Sequence, residues 1–165
     1  MAADDFADVV AANAAYAQEF SLTGLEPRAA RGLAIVTCMD SRIEPLTMLG
    51  LEPGDAKILR NAGARVTDDV VRTLVLARYL LGVERVMVVA HTKCRMAGGT
   101  EDDVHIAISA AGGPDTSELS FLVATDQIAA LRDDVERALA SPYLKDTAIG
   151  GFLYDVDTGL ISRVC

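Results

Sequence analysis

Apolar residues recur at helical spacing near both ends of the chain and form short unbroken runs between them. Over residues 3–20, Phe6, Val9, Val10, Ala14, Ala17 and Phe20 fall near a 3.6-residue period and predict an N-terminal helix with an apolar stripe. Residues 21–32 hold Gly24, Pro27 and two arginines and read as a loop. The run Leu33 to Thr37 is continuous and apolar, as a strand buried on both faces requires. Pro45 opens a short helix that ends near Gly50, and residues 56–60 give a second strand before the loop Asn61-Ala62-Gly63. Thr67-Asp68-Asp69 then starts a helix, with a hydroxyl to cap it and two acids to match its dipole. Val70, Val71, Leu74, Val75, Ala77, Leu80 and Leu81 are its expected buried face, and Gly82 ends it.

A third strand spans Arg85 to Ala90, followed by a helix at 101–111, a loop at Gly112-Gly113-Pro114, and an amphipathic helix over 125–140. The tail holds two β-prone runs, 148–155 and 159–164, joined by the turn Asp157-Thr158-Gly159. Strands alternating with helices argue for an α/β domain with a mainly parallel sheet and helices on both faces; the terminal hairpin adds an antiparallel edge strand.

The 165 residues suit one domain, and an apolar fraction of 51% is enough for a core. Fifteen basic against 24 acidic residues leave a net charge of −9, which repels phosphate and argues against nucleic acid or an anionic membrane as partner. The acidic excess reads as a solvated surface. With no apolar stretch of membrane-spanning length and no basic-then-apolar leader, the expected location is the cytoplasm. There the three cysteines suit metal binding or chemistry better than disulfides.

Cys38 and Asp40 follow the first strand directly; His91 follows the third, with Cys94 three residues on. If the strand order begins 2-1-3, the first and third strands are neighbours. Their carboxyl ends then form the crevice where open parallel sheets bind ligands. Two thiolates and an imidazole suit zinc, and three protein ligands leave a fourth position open, as catalytic sites do. Taken singly, each residue has an ordinary alternative: a core histidine satisfied by backbone, or cysteines acting as small apolar groups. Asp40-Ser41-Arg42 taken alone is a surface turn with an ion pair. As a set at strand ends, they favour metal.

The segment Cys38-Met39-Asp40-Ser41-Arg42, with His91-Thr92-Lys93-Cys94 about fifty residues later, resembles the β-class carbonic anhydrases. The likeness takes in Asn61-Ala62-Gly63 and runs from about residue 33 to 98, with a compatible layout beyond. It implies zinc on Cys38, His91 and Cys94, a sheet of order 2-1-3-4, and an obligate homodimer or homotetramer. It also implies one domain over residues 1–165, with the helix at 1–20 packing on a partner subunit. The chain is compact for that family and has no tryptophan, so a bicarbonate regulatory site that needs one is not expected. Arg95 stands where many relatives have glycine.

The implied reaction is reversible hydration of carbon dioxide by zinc-bound hydroxide. Asp40, held by Arg42, aims the nucleophile; released from Arg42, it becomes a fourth zinc ligand that closes the site. Carbonyl sulfide and carbon disulfide are alternative substrates of the same shape, and a zinc-binding sensor with its fourth position closed is the non-catalytic alternative. Cys38 is no phosphatase nucleophile, since an arginine belongs six positions later and Glu44 is there. No glycine pair leads into a phosphate-binding Lys-Ser/Thr. His105 and the four tyrosines read as structural, and Cys165 as a free thiol.

Overall fold

In a computed structural model that describes residues 5–165, five strands form a single sheet in the order β2-β1-β3-β4-β5. The strands are β1 (Leu33–Cys38), β2 (Ala56–Asn61), β3 (Arg85–His91), β4 (Ala148–Tyr154) and β5 (Ile161–Arg163). β1 runs parallel to β2 and β3, β3 parallel to β4, and only β5 is antiparallel. The helices are α1 (Ala7–Gln18), α2 (Asp68–Leu80), α3 (Glu101–Ala110) and α4 (Gln127–Ala140). Both the predicted elements and the edge hairpin are therefore present.

β1 lies between β2 and β3, and all six of its residues are buried. Its side chains alternate between two cores. Ala34 and Val36 join Val86, Val88 and Ala90 against Val70, Leu74 and Ala77 of α2 and Leu131, Val135 and Ala138 of α4. Leu33 and Ile35 pack on the opposite face against Val89, Leu51 and the single-turn 3-10 helix Thr47–Leu49. Gly50 ends that turn with a left-handed φ of 62°.

Thr67 caps α2, its side chain accepting from the Val70 N–H, and the acids Asp68 and Asp69 occupy the first turn. The buried face of α2 is narrower than its sequence pattern suggests: Leu80 is 65% exposed, because the helix ends there, beyond the edge of the core. α3 starts on a capping box between Thr100 and Asp103. α1 stands apart from the core. Its stripe buries nothing, and Val9, Val10 and Tyr16 all stand open. No helix among the described residues is long and apolar enough to cross a membrane.

A candidate metal centre at the sheet's switch point

The chain leaves β1 toward β2 and returns to β3 on β1's other side, so connections diverge at the carboxyl ends of β1 and β3. Cys38 is the last residue of β1 and His91 the last of β3. Lys93, held at a left-handed φ of 55°, turns the chain so that Cys94 comes back toward them. The ligand atoms of Cys38, His91 and Cys94 lie within 4.8 Å of one another, and all three residues are buried.

His91 is fully buried, and its Nδ1 sits 3.0 Å from the Thr92 carbonyl. A carbonyl can only accept, so Nδ1 carries the proton and the Nε2 lone pair faces the sulfurs. Nε2 has no hydrogen-bond partner. A buried polar atom left alone is costly, and a metal ion would satisfy it. The two sulfurs stand 4.0 Å apart as free thiols. Two sulfurs each at ~2.3 Å from a tetrahedral zinc would stand about 3.8 Å apart. The donor set, the orphaned nitrogen and this spacing all fit zinc.

Contacts at the site push the Cys38 thiol well below its ordinary range. The contact with the Cys94 sulfur does most of this, burial opposes, and His91 with the Gly63 and Asp40 backbone N–H groups adds support. Cys94 is pushed up by the same contact with Cys38 and by burial, which disfavours its charge. Around the sulfurs, Ile43, Ala64, Met48, Met96 and Tyr154 form an apolar shell.

Asp40 sits at the edge of the group, with Oδ2 3.9 Å from His91 Nε2. Arg42 grips it through Nε to Oδ1 at 2.9 Å and Nη2 to Oδ2 at 2.8 Å, and the Arg42 backbone N–H adds a bond at 3.0 Å. The Arg42 side chain holds the carboxyl well below the usual carboxylate range. Arg42 also donates to the Lys93 carbonyl, tying the Cys38 loop to the Cys94 loop.

Two supports went unnoticed in the sequence. Arg60, at the end of β2, donates to the Cys38 carbonyl at 3.0 Å and the Asp40 carbonyl at 2.7 Å, clamping the loop between them. The strand order alone would have pointed to it, because Arg60 pairs with Thr37 across the sheet. Arg65 pairs with Asp134 of α4 at 2.6 Å, and Asp134 is buried, an exception to the expectation that the acids are a solvated surface. No local signal marks that pair. His105 is structural, its Nδ1 2.8 Å from the Thr116 hydroxyl and its ring edge-on to Phe121. Cys165 is exposed and away from the cluster. Arg95 begins a 3-10 turn at Arg95–Ala97.

Residues 33–111 match the carbonic anhydrase family. The chain is 37% identical to beta-carbonic anhydrase 1 of Mycobacterium tuberculosis over 160 residues, 95% of this chain and 96% of that one. It superposes on the crystal structure of carbonic anhydrase from Streptococcus mutans with a TM-score of 0.90, at 38% identity and with full coverage of both chains. A carbon disulfide hydrolase of an Acidianus species is 32% identical over 152 residues, covering 78% of this chain and 74% of that one.

Proposed function

The chain belongs to the β-carbonic anhydrase family, and we propose from that premise that Cys38, His91 and Cys94 hold its zinc while Asp40 and Arg42 orient the reacting water. It is a zinc lyase that interconverts carbon dioxide and water with bicarbonate and a proton. The observation that carries the site assignment is the orphaned His91 Nε2 facing two buried thiols, with the Arg42-bound Asp40 beside it.

Zinc on two thiolates and a neutral imidazole lowers the pKa of a water it binds from about 15.7 toward the neutral to mildly alkaline range, which supplies a nucleophile. Asp40, kept charged by Arg42, accepts the O–H of the attacking water and turns its lone pair to the carbon of carbon dioxide. Arg42 keeps that carboxylate in place, and its bond to the Lys93 carbonyl holds the two ligand loops at a fixed separation. The apolar shell of Ile43, Met48 and Met96 excludes bulk water and accepts a small uncharged substrate.

The working unit we propose is a single-domain subunit over residues 1–165, assembled as a homodimer or homotetramer in the cytoplasm, with α1 on its neighbour. Support comes from α1, which has an apolar stripe yet buries no residue within its own subunit. Stopped-flow hydration of carbon dioxide, on protein of measured zinc content, tests the catalytic reading. Near-stoichiometric zinc with turnover supports it; zinc without turnover on carbon dioxide but with turnover on carbon disulfide transfers the site to that substrate. Zinc without turnover on either leaves a sensor.

A further inference from the structure

Behind the two sulfurs, two backbone segments are tied to one short strap, residues 120–124. On one side, the Gly63 N–H donates to Cys38 Sγ at 3.4 Å. It does so from a turn with two consecutive left-handed residues, Gly63 at φ 83° and Ala64 at φ 60°. Asn61 closes that turn, accepting from the Arg65 N–H at 2.8 Å and donating to the Arg65 carbonyl at 2.7 Å. The Arg65 side chain then reaches out of the turn, to Asp134 at 2.6 Å and to the Leu122 carbonyl at 2.7 Å.

On the other side, Met96 lies two residues past Cys94, in the 3-10 turn Arg95–Ala97. The Met96 carbonyl accepts from the Ala124 N–H at 2.8 Å. Leu122 and Ala124 thus hold the Cys38 turn and the Cys94 turn at once. The strap is fixed in turn by one carboxylate oxygen, Glu101 Oε1, which accepts from the Ser120 hydroxyl at 2.9 Å, the Phe121 N–H at 2.8 Å and the Leu122 N–H at 2.9 Å. Leu122 itself is left-handed, at φ 57°, a conformation that leucine keeps only when its neighbours impose it.

We propose that the strap Ser120–Ala124, anchored by Glu101 and by the Arg65–Asp134 pair, is a positioning element that fixes the Gly63 N–H on the Cys38 sulfur and the turn that follows Cys94, and so sets the affinity and electron donation of the metal centre. A hydrogen bond to a thiolate draws electron density from the sulfur, and outer partners of this kind tune a metal site nearly as much as its ligands. Arg65 and Glu101 act through the turns and are not among the candidate metal ligands. The inference rests on the assignment of Cys38, His91 and Cys94 as metal ligands.

Cobalt(II) titrated into the metal-free full chain tests it, reading both affinity and the thiolate-to-cobalt absorption band. Arg65→Gln and Glu101→Gln are each expected to weaken cobalt binding by about 10-fold or more and to move that band. Val135→Ala, in the core beside Asp134, is expected to lower stability while leaving affinity and band as in the parent. If Arg65→Gln does not fold, Glu101→Gln carries the test, since its carboxylate reaches the centre only through the strap. Parental affinity and an unmoved band in the folded variants overturn the proposal, as does an equal shift in Val135→Ala. Failure of the parent chain to bind cobalt would strike the ligand assignment instead.

Discussion

Asp40 and Arg42 meet as a two-pronged pair, carboxylate oxygen to guanidinium nitrogen at 2.9 and 2.8 Å, at the rim of the three candidate ligands. That pairing commits the Asp40 carboxylate to Arg42 and leaves it as an acceptor next to the cluster. Asp40→Ala is therefore expected to keep zinc and lose most turnover, by roughly 100-fold or more, the scale of a positioned proton acceptor. Zinc content and stopped-flow rates on the same sample check it; a fully active Asp40→Ala protein removes Asp40 from the mechanism.

The second role of Asp40 predicts a pH profile. If Asp40 can leave Arg42 and take the place of the reacting water, hydroxide would displace it better as pH rises. Asp40 is charged throughout the neutral range, since Arg42 holds its pKa far below it. A rise in rate between about pH 6.5 and pH 9 would then report this competition or the ionisation of the bound water, not protonation of Asp40. Arg42→Gln frees the carboxylate and is expected to deepen inhibition at the low end of that range. A flat profile in the parent chain ends the closed-state idea.

Asp40 also ties stability to acid pH. Its pKa is depressed in the folded state, so its contribution is present above the unfolded value of about 3.9 and fades as pH falls toward the folded value. In metal-free protein, the Tm gap between parent and Asp40→Asn is expected to be constant from about pH 8 to pH 5 and to shrink below about pH 4. Arg42 is 46% exposed, so screening keeps that gap small, and added salt narrows it further. A gap that widens in acid would reverse the sign and exclude this coupling.

Much of this was written in the sequence. β1 reads as a strand because a parallel strand buried on both faces needs an unbroken apolar run, and Leu33–Cys38 supplies one. The meeting of Cys38 with His91 follows from the strand order, which places the last residues of neighbouring strands at one rim. Other features depend on contacts that no local pattern encodes. Arg65 and Asp134 lie 69 residues apart, and Asp134 sits in a helix whose other acids face water. The stripe on α1 was legible as apolar, but it buries nothing in its own subunit, and a single subunit shows no contact for it.

Metal content should separate the three cysteines. Cys38→Ser and Cys94→Ser each remove one of the three proposed ligands, and both are expected to drop zinc per chain to near zero. Cys165→Ser should leave it unchanged, because Cys165 is exposed and outside the cluster. Zinc measured by elemental analysis after purification decides this. Retention in Cys94→Ser would mean that Asp40 or another group holds the ion.

The centre of the sheet should be the most sensitive place for stability. Ile35 is fully buried in β1, packed against Leu51 and Val89, with strands on both sides. Ile35→Ala removes three methyl or methylene carbons in a place where flanking strands cannot close the gap, so a loss of about 2–5 kcal/mol is expected by denaturant unfolding. Leu80→Ala, at the exposed end of α2, should cost much less, within about 0.5 kcal/mol. Equal losses at the two positions would mean that Leu80 is covered in the assembled protein, and its cost would then depend on protein concentration.

The last test concerns α1. With Val9, Val10 and Tyr16 exposed on a helix that buries nothing in its own subunit, removal of residues 1–18 should leave the sheet and its metal group intact in each subunit. If α1 lies on a partner, that deletion shifts the population toward smaller species in sedimentation experiments, and zinc per chain stays near its parental value. Val9→Ser with Val10→Ser should act in the same direction with less effect, because two apolar contacts are lost and the helix remains. An unchanged sedimentation profile in the deletion would place α1 in solvent and leave assembly to other surfaces.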